Sequence, residues 1–252
     1  MTTYSMGIDI GGSSIKGALV DIDNGCVHGE VQVIPTPAQA SAEVVGDSVA
    51  KLAELCRATE DMPIGIGFPA PVVHGYIPSM ANLSPTWIDM NIADFFSNRL
   101  SRPVTVLNDA DAAGIAQFTY SNIDSDEQVI IFLTLGTGIG SAVFYDGKLF
   151  PNTELGHIRL SSKIQNAEKW AAPSIRTRDN LSLEEWTQRI QLYLSRVEEL
   201  FNPDSFILGG GISEHFDIFS QWLRTSASIL PAALRNHAGI VGAARYAYDA
   251  RA

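Results

Sequence analysis

Two stretches of this chain spell nearly the same phrase, GIDIGGSSIKGALVD from Gly7 to Asp21 and FLTLGTGIGSAVFYD from Phe132 to Asp146. Each reads as strand, glycine turn, strand, with apolar runs flanking residues suited to a tight turn. With a one-residue gap, Gly11 falls on Gly136, Ile15 on Ile139, Ala18 on Ala142 and Leu19 on Val143. Two equivalent hairpins therefore open two related halves. A phosphate-binding loop in each half would put a polyphosphate or a nucleotide in a cleft between them.

The rest of the chain fits an α/β fold built twice. Met6 to Ile34 reads as an antiparallel meander of three strands. A helix follows within Ala38 to Thr59, where Val45, Val49 and Leu52 recur at helical spacing, and then a strand from Ile64 to Val72. IADFFSNRL reads as a helix, Pro103 to Asn108 as a buried strand, and DADAAGIAQFTY as a helix whose acidic residues suit its N-terminal end. The second half repeats the order, with paired strands, a long helix from Leu183 to Phe201 and a strand SFILGGG ending at Gly211. The expected lobes are 1–107 and 108–238, with a C-terminal helix at about 239–252 that can return to the first.

Composition narrows the function classes. No low-complexity tract separates the halves, and no apolar run approaches the roughly 20 residues that cross a bilayer, so no membrane segment is expected. Two cysteines, Cys26 and Cys56, and no signal-peptide pattern point to isolated thiols in a reducing cytoplasm. A net charge of −11 argues against broad nucleic-acid binding. One basic strip stands out: Arg159, Lys163, Lys169, Arg176 and Arg178, with Glu168 alone against them. It is either a solvated face or a track for an anionic substrate.

Several motifs carry chemistry. Asp9 ends a strand beside Gly11, Gly12, Ser13 and Ser14, where backbone can approach phosphate without a Cβ in the way, and Lys16 adds positive charge. Thr134, Gly136, Thr137, Gly138 and Gly140 form the second such turn. Neither is a Walker loop or a dinucleotide fingerprint, because a strand rather than a helix follows the first. Asn108 and Asp109 sit at a strand-to-helix corner, a place for an N-cap pair or for a carboxylate base. ELGH spaces Glu154 and His157 three apart, on one face of a helical turn, where both can reach adjacent hydroxyls.

DIGGSSIKGALVD, NDADAAGIAQ, LTLGTGIGSA, ELGH and LGGGIS, in this order and spacing, resemble the ROK family of sugar kinases in the actin-like superfamily, and within it the polyphosphate glucokinase branch. The resemblance runs from Gly7 to about Ala244. It implies a two-lobed actin-like ATPase (sugar kinase/ribonuclease H-like) fold and transfer of a phosphoryl group from polyphosphate, or ATP, to the 6-hydroxyl of glucose. Asp109 would be the base, and Asn82, Asn108, Glu154, His157 and Glu168 would hold the sugar. Gly11, Gly12, Ser13, Lys16, Thr134, Gly136, Thr137 and Gly138 would face the terminal phosphates, and Gly209, Gly210 and Gly211 a nucleotide or more distant phosphates. Asp9 would serve Mg²⁺, directly or through water. The family also implies a homodimer. Many ROK proteins carry a cysteine-rich zinc site after ELGH, and IRLSSKIQNAEKW follows here, so no zinc is expected. Phe68-Pro69-Ala70-Pro71 stands where the branch usually reads FPG, and Glu214-His215 where basic residues are common. An ATP-dependent kinase for glucose, mannose or a related sugar is the alternative, and a sugar-binding or regulatory protein without transfer activity is the alternative of another class.

Overall fold

The computed structural model describes residues 2–38, 40–79, 83–121, 123, 126–234 and 237–251. Contacts divide the chain into two compact units, Met1–Ser121 with His237–Ala252, and Asn122–Asn236. Each is built on a five-stranded mixed sheet.

The meander becomes β1 (Tyr4–Ile10), β2 (Ser14–Asp21) and β3 (Cys26–Pro35). Helix α1 is Ala42–Leu55, shorter than the apolar pattern because it starts only after Ser41 and stops where Arg57 turns left-handed at φ 56°. Strand β4 (Ile64–Phe68) ends before Pro69 rather than running on to Val72, since two prolines withdraw ladder donors and the Ala70 N–H turns back to the Phe68 carbonyl at 2.8 Å. Helix α2 (Ile92–Leu100), β5 (Val104–Asn108) and α3 (Asp109–Tyr120) follow their patterns. The core of this unit gathers Ile8, Ile10, Val45, Leu52, Ile66, Phe68, Trp87 and Phe96. Trp87 is fully buried and its indole N–H donates to the Ala40 carbonyl at 2.9 Å, so it packs rather than lining a pocket.

The second unit opens with β6 (Val129–Leu135), β7 (Ile139–Tyr145) and β8 (Lys148–Phe150), then two short helices, α4 (Glu168–Ala171) and α5 (Pro173–Arg178). Helix α6 spans Leu183–Phe201 as its pattern predicts. Its start is fixed by a reciprocal cap, in which Ser182 Oγ accepts the Glu185 N–H at 3.2 Å and Glu185 Oε2 accepts the Ser182 N–H at 2.8 Å. Trp186, Ile190, Tyr193, Leu194 and Val197 form its buried stripe. Strand β9 (Ser205–Gly209), α7 (Phe216–Phe219) and β10 (Ser228–Pro231) complete the unit.

The two sheets have one topology. Their orders are β3-β2-β1-β4-β5 and β8-β7-β6-β9-β10, and in each the first three strands pair antiparallel and the last two join in parallel. The repeated phrase is thus the β1–β2 hairpin and its β6–β7 counterpart. Helix α8 (Ala238–Asp249) returns to the first unit. Its backbone lies so close to β1 and β4 that a Cβ on Gly7 would strike the Ile240 carbonyl and one on Gly65 the Ala243 carbonyl. Among the described residues no helix is long and apolar enough to cross a membrane.

Candidate active site

In the first unit the glycine turn joins Ile10 to Ile15 across the β1–β2 ladder. Thr36 holds it from outside, its Oγ1 donating to the Gly11 carbonyl at 2.6 Å and its N–H to the Ser13 carbonyl at 3.1 Å. Asp9 lies opposite Lys16 in the ladder. Burial pushes the Asp9 carboxyl above the usual carboxylate range, and Lys16 opposes that shift. Gly239, in the first turn of α8, lets the helix reach this carboxylate, because a Cβ there would stand 3.1 Å from Asp9 Cγ.

Also in this unit, β5 ends at Asn108 and α3 begins at Asp109. Asn108 is 5% exposed, and its Oδ1 accepts the N–H groups of Ala110 at 2.9 Å and Asp111 at 3.1 Å. Asp109 Oδ1 accepts the Ala110 N–H as well, at 2.7 Å. The corner therefore serves as a helix cap and fixes the Asp109 carboxylate at the positive end of α3. Asp111 is buried. Asn82 lies outside the described residues.

In the second unit the equivalent turn, Gly136 to Gly138, is held in an equivalent way. Ser174 Oγ donates to the Thr137 carbonyl at 2.6 Å and the Ser174 N–H to the Gly136 carbonyl at 3.2 Å. Thr36 and Ser174 thus play the same part in the two halves, one hydroxyl residue and its own N–H pinning two turn carbonyls. Sequence reading missed both, since they lie 25 and 37 residues from the hydroxyl's acceptor and no spacing marks them. Gly209, Gly210 and Gly211 leave β9 next to this turn: Thr134 and Gly209 are ladder partners, and Gly210 has φ 85°, where a Cβ would also strike the Leu135 carbonyl.

The bareness of these turns is informative. At Gly12, Gly136 and Gly211 an added Cβ would meet no atom of the described residues within 4 Å beyond its immediate chain neighbours, and none of the three has positive φ. The fold itself does not require glycine there. The missing side chains leave backbone open to a ligand, as a phosphate cradle does.

The turn of ELGH is a short 3₁₀ segment, Leu155–His157, preceded by Glu154. His157 Nδ1 is 3.5 Å from Glu154 Oε2 and His157 Nε2 is 3.3 Å from Glu168 Oε1, so a carboxylate stands at each ring nitrogen. Partial burial raises the Glu154 pKa, His157 lowers it and Glu168 raises it further. The cluster offers several acceptors in a small volume, which suits adjacent hydroxyls of a pyranose. Glu168 reaches further, its Oε2 accepting the N–H of Ile139 at 3.3 Å at the end of the glycine turn.

The basic strip is mixed. Arg178 pairs with Asp179 at 2.8 Å and Arg159 Nε donates to Gln165 at 2.6 Å, while Lys163 and Lys169 are exposed.

Two glycine-cradled hairpins on duplicated α/β sheets, a capped Asn-Asp corner and a Glu-His-Glu cluster define a sugar-kinase-like protein, and the chain belongs to the ROK family, whose model matches residues 5–174. Its fold is the actin-like ATPase fold of the ROK sugar kinases. The polyphosphate glucokinase of Mycobacterium leprae (strain TN) is 42% identical over 239 residues, 94% of this chain and 72% of that protein. That of Mycobacterium tuberculosis (strain CDC 1551 / Oshkosh) is 39% identical over 242 residues, 96% and 90% respectively. The crystal structure of the inorganic polyphosphate/ATP-glucomannokinase from Arthrobacter sp. strain KM superposes with a TM-score of 0.91 at 43% identity, covering 98% of this chain and 99% of that one.

Proposed function

We propose that this chain is a polyphosphate-dependent glucokinase that moves the terminal phosphoryl group of inorganic polyphosphate, or of ATP, to the 6-hydroxyl of glucose. The observation that carries this reading is the set of glycines at 12, 136 and 211 that the packing of the described residues does not need, in a chain that also carries a carboxylate corner in one unit and a Glu-His-Glu cluster in the other. The identities of about 40% with polyphosphate glucokinases support the donor and the sugar.

In this reading Asn108, Glu154, His157 and Glu168, with Asn82, hold glucose. Asp109 accepts the proton of the 6-hydroxyl as that oxygen bonds to the terminal phosphorus and the bridging P–O bond breaks, leaving a phosphate chain one unit shorter. Gly11, Gly12, Ser13, Lys16, Thr134, Gly136, Thr137 and Gly138 receive the terminal phosphates, and Gly209 to Gly211 the more distant ones.

Among the described residues no group of three or more acidic, histidine or cysteine side chains could hold a metal alone. Magnesium does not need one, because it commonly takes one or two carboxylates, substrate phosphates and water. Asp9, buried with a raised pKa, fits that role directly or through water, since a nearby cation would favour its ionised form. When bound, magnesium would offset charge on the phosphate oxygens. The reading includes a homodimer, as the family resemblance implies, in the reducing cytoplasm that the isolated cysteines suggest, and light scattering tests the oligomer.

The test is glucose 6-phosphate formation with Mg²⁺ and glucose, run in parallel with nucleotide-free polyphosphate and with ATP. Product with polyphosphate supports the reading, product with ATP alone makes the chain an ATP-dependent ROK hexokinase, and silence with both refutes transfer to glucose. In the active protein Asp109→Asn should retain glucose binding and lose turnover by orders of magnitude.

A further inference from the structure

We propose that Glu168 is a positioning residue for the phosphate donor, a strut that ties the second glycine turn to the sugar cluster through the two oxygens of one carboxylate. Oε1 stands 3.3 Å from His157 Nε2 and Oε2 accepts the Ile139 N–H at 3.3 Å. The inference rests on the kinase reading for what the turn and the cluster bind, but the strut itself is a matter of this chain's hydrogen bonds.

The geometry of the hairpin explains why the strut is needed. Antiparallel ladders alternate between pairs that exchange hydrogen bonds and pairs whose N–H groups point outward. The Gly136 N–H bonds to the Gly138 carbonyl at 3.1 Å, so the next pair, Leu135 with Ile139, falls in the outward class. The Ile139 N–H is then left to an acceptor beyond the hairpin, and Ile139 is 3% exposed, so an acceptor must come from the protein. Glu168 supplies it from the first position of α4. The carboxylate also fills the space a Cβ would take on Gly138, its Oε2 being the nearest atom to that position. Ser174 holds the same turn through the Gly136 and Thr137 carbonyls, but among the turn's partners described above only Glu168 also touches the sugar cluster.

A carboxylate that did nothing but bind sugar would leave the donor turn unaffected when removed. The strut predicts otherwise. Hydrogen exchange of the peptide spanning Leu135 to Gly140 is measured by mass spectrometry on the full chain without ligands, for the wild type, Glu168→Ala and Glu168→Gln. The KM for polyphosphate is measured at saturating glucose for the same proteins. Glu168→Ala should speed exchange in this peptide about tenfold and raise the donor KM about tenfold, the worth of a hydrogen bond to a charged acceptor. Glu168→Gln should restore much of both, because an amide can accept from Ile139 with its oxygen and donate to His157 with its nitrogen. A thermal midpoint for each variant identifies loss of folding, and if the alanine variant is unfolded, unchanged exchange and donor KM in Glu168→Asp, whose shorter side chain cannot span both partners, would overturn the strut. Wild-type exchange and donor KM in Glu168→Ala, with only the glucose KM raised, would equally overturn it. If the wild type makes no glucose 6-phosphate, the kinase reading falls, while the exchange measurement still decides the strut.

Discussion

Replacing Asn108 with alanine separates the two jobs of the strand-to-helix corner. The amide oxygen caps two N–H groups in a site that is 5% exposed. After the change the Ala110 N–H keeps Asp109 Oδ1, at 2.7 Å, while the Asp111 N–H loses its Asn108 acceptor. The cost is therefore that of one cap and one buried donor rather than two, about 2 kcal/mol. With a urea m-value of about 2 kcal/mol per molar, the unfolding midpoint should fall by about 1 M. Asn108→Asp keeps an acceptor at the cap and should stay within about 0.5 kcal/mol of the wild type, since asparagine and aspartate cap about equally well. Both variants should lose activity if the amide holds the sugar as proposed, and in the alanine variant Asp109 would also carry more of the capping. Urea unfolding followed by circular dichroism, together with the glucose 6-phosphate assay, reads both effects. An alanine midpoint within about 0.3 M of the wild type, or an aspartate variant as unstable as the alanine one, would refute the capping argument.

Gly12→Ala and Gly136→Ala should leave the thermal midpoint unchanged or slightly higher, since a methyl at either position meets no described residue beyond its chain neighbours; each should raise the donor KM tenfold or more, and an unchanged KM would remove that turn from donor binding. Tyr193→Phe should stabilise the protein by about 1 kcal/mol in thermal unfolding, because the hydroxyl is buried with no hydrogen-bond partner in the described structure. A drop in midpoint would mean that the hydroxyl is satisfied. The Glu154 carboxyl is raised above its ordinary 4.5 by burial, so its contribution to stability falls as pH rises through the folded pKa. Glu154→Gln should therefore be more stable than the wild type at neutral pH, with the gap closing toward pH ~4 in pH-dependent thermal melts; a gap that widens on acidification would reverse the assignment.

Much of the fold was legible because local and global signals agreed. Helix α6 follows its pattern from end to end, since Ser182 and Glu185 announce its start and the apolar stripe continues to Val197. The meander and the repeated hairpin were equally plain, each having alternation and a glycine turn. Ends set by backbone conformation were less visible: α1 loses several residues at each side of its apolar pattern, and β4 stops at Pro69 although apolar residues continue. Strand β10 gave no signal, being four residues ending in proline. At the candidate site the residue types could be read, because carboxylates, glycines and histidine have distinctive spacing. The pins could not. Thr36 and Ser174 act through backbone carbonyls far away in sequence, and the second oxygen of Glu168 serves an N–H that is exposed only by the alternation of a ladder.

The close seating of α8 on β1 and β4 has a consequence for biosynthesis. The first unit is assembled from segments on both sides of the second, so its helix α8 is made only after the whole of the second unit. The Asn122–Asn236 unit is continuous and takes no element from outside its own span, so it can fold without waiting for α8, while β1 and β4 present bare glycine backbone until the helix arrives. Translation sets an order opposite to the order of the halves in the sequence: the unit that begins first is completed second. A released chain truncated after Asn236 should hold a protease-resistant second half and a susceptible first half.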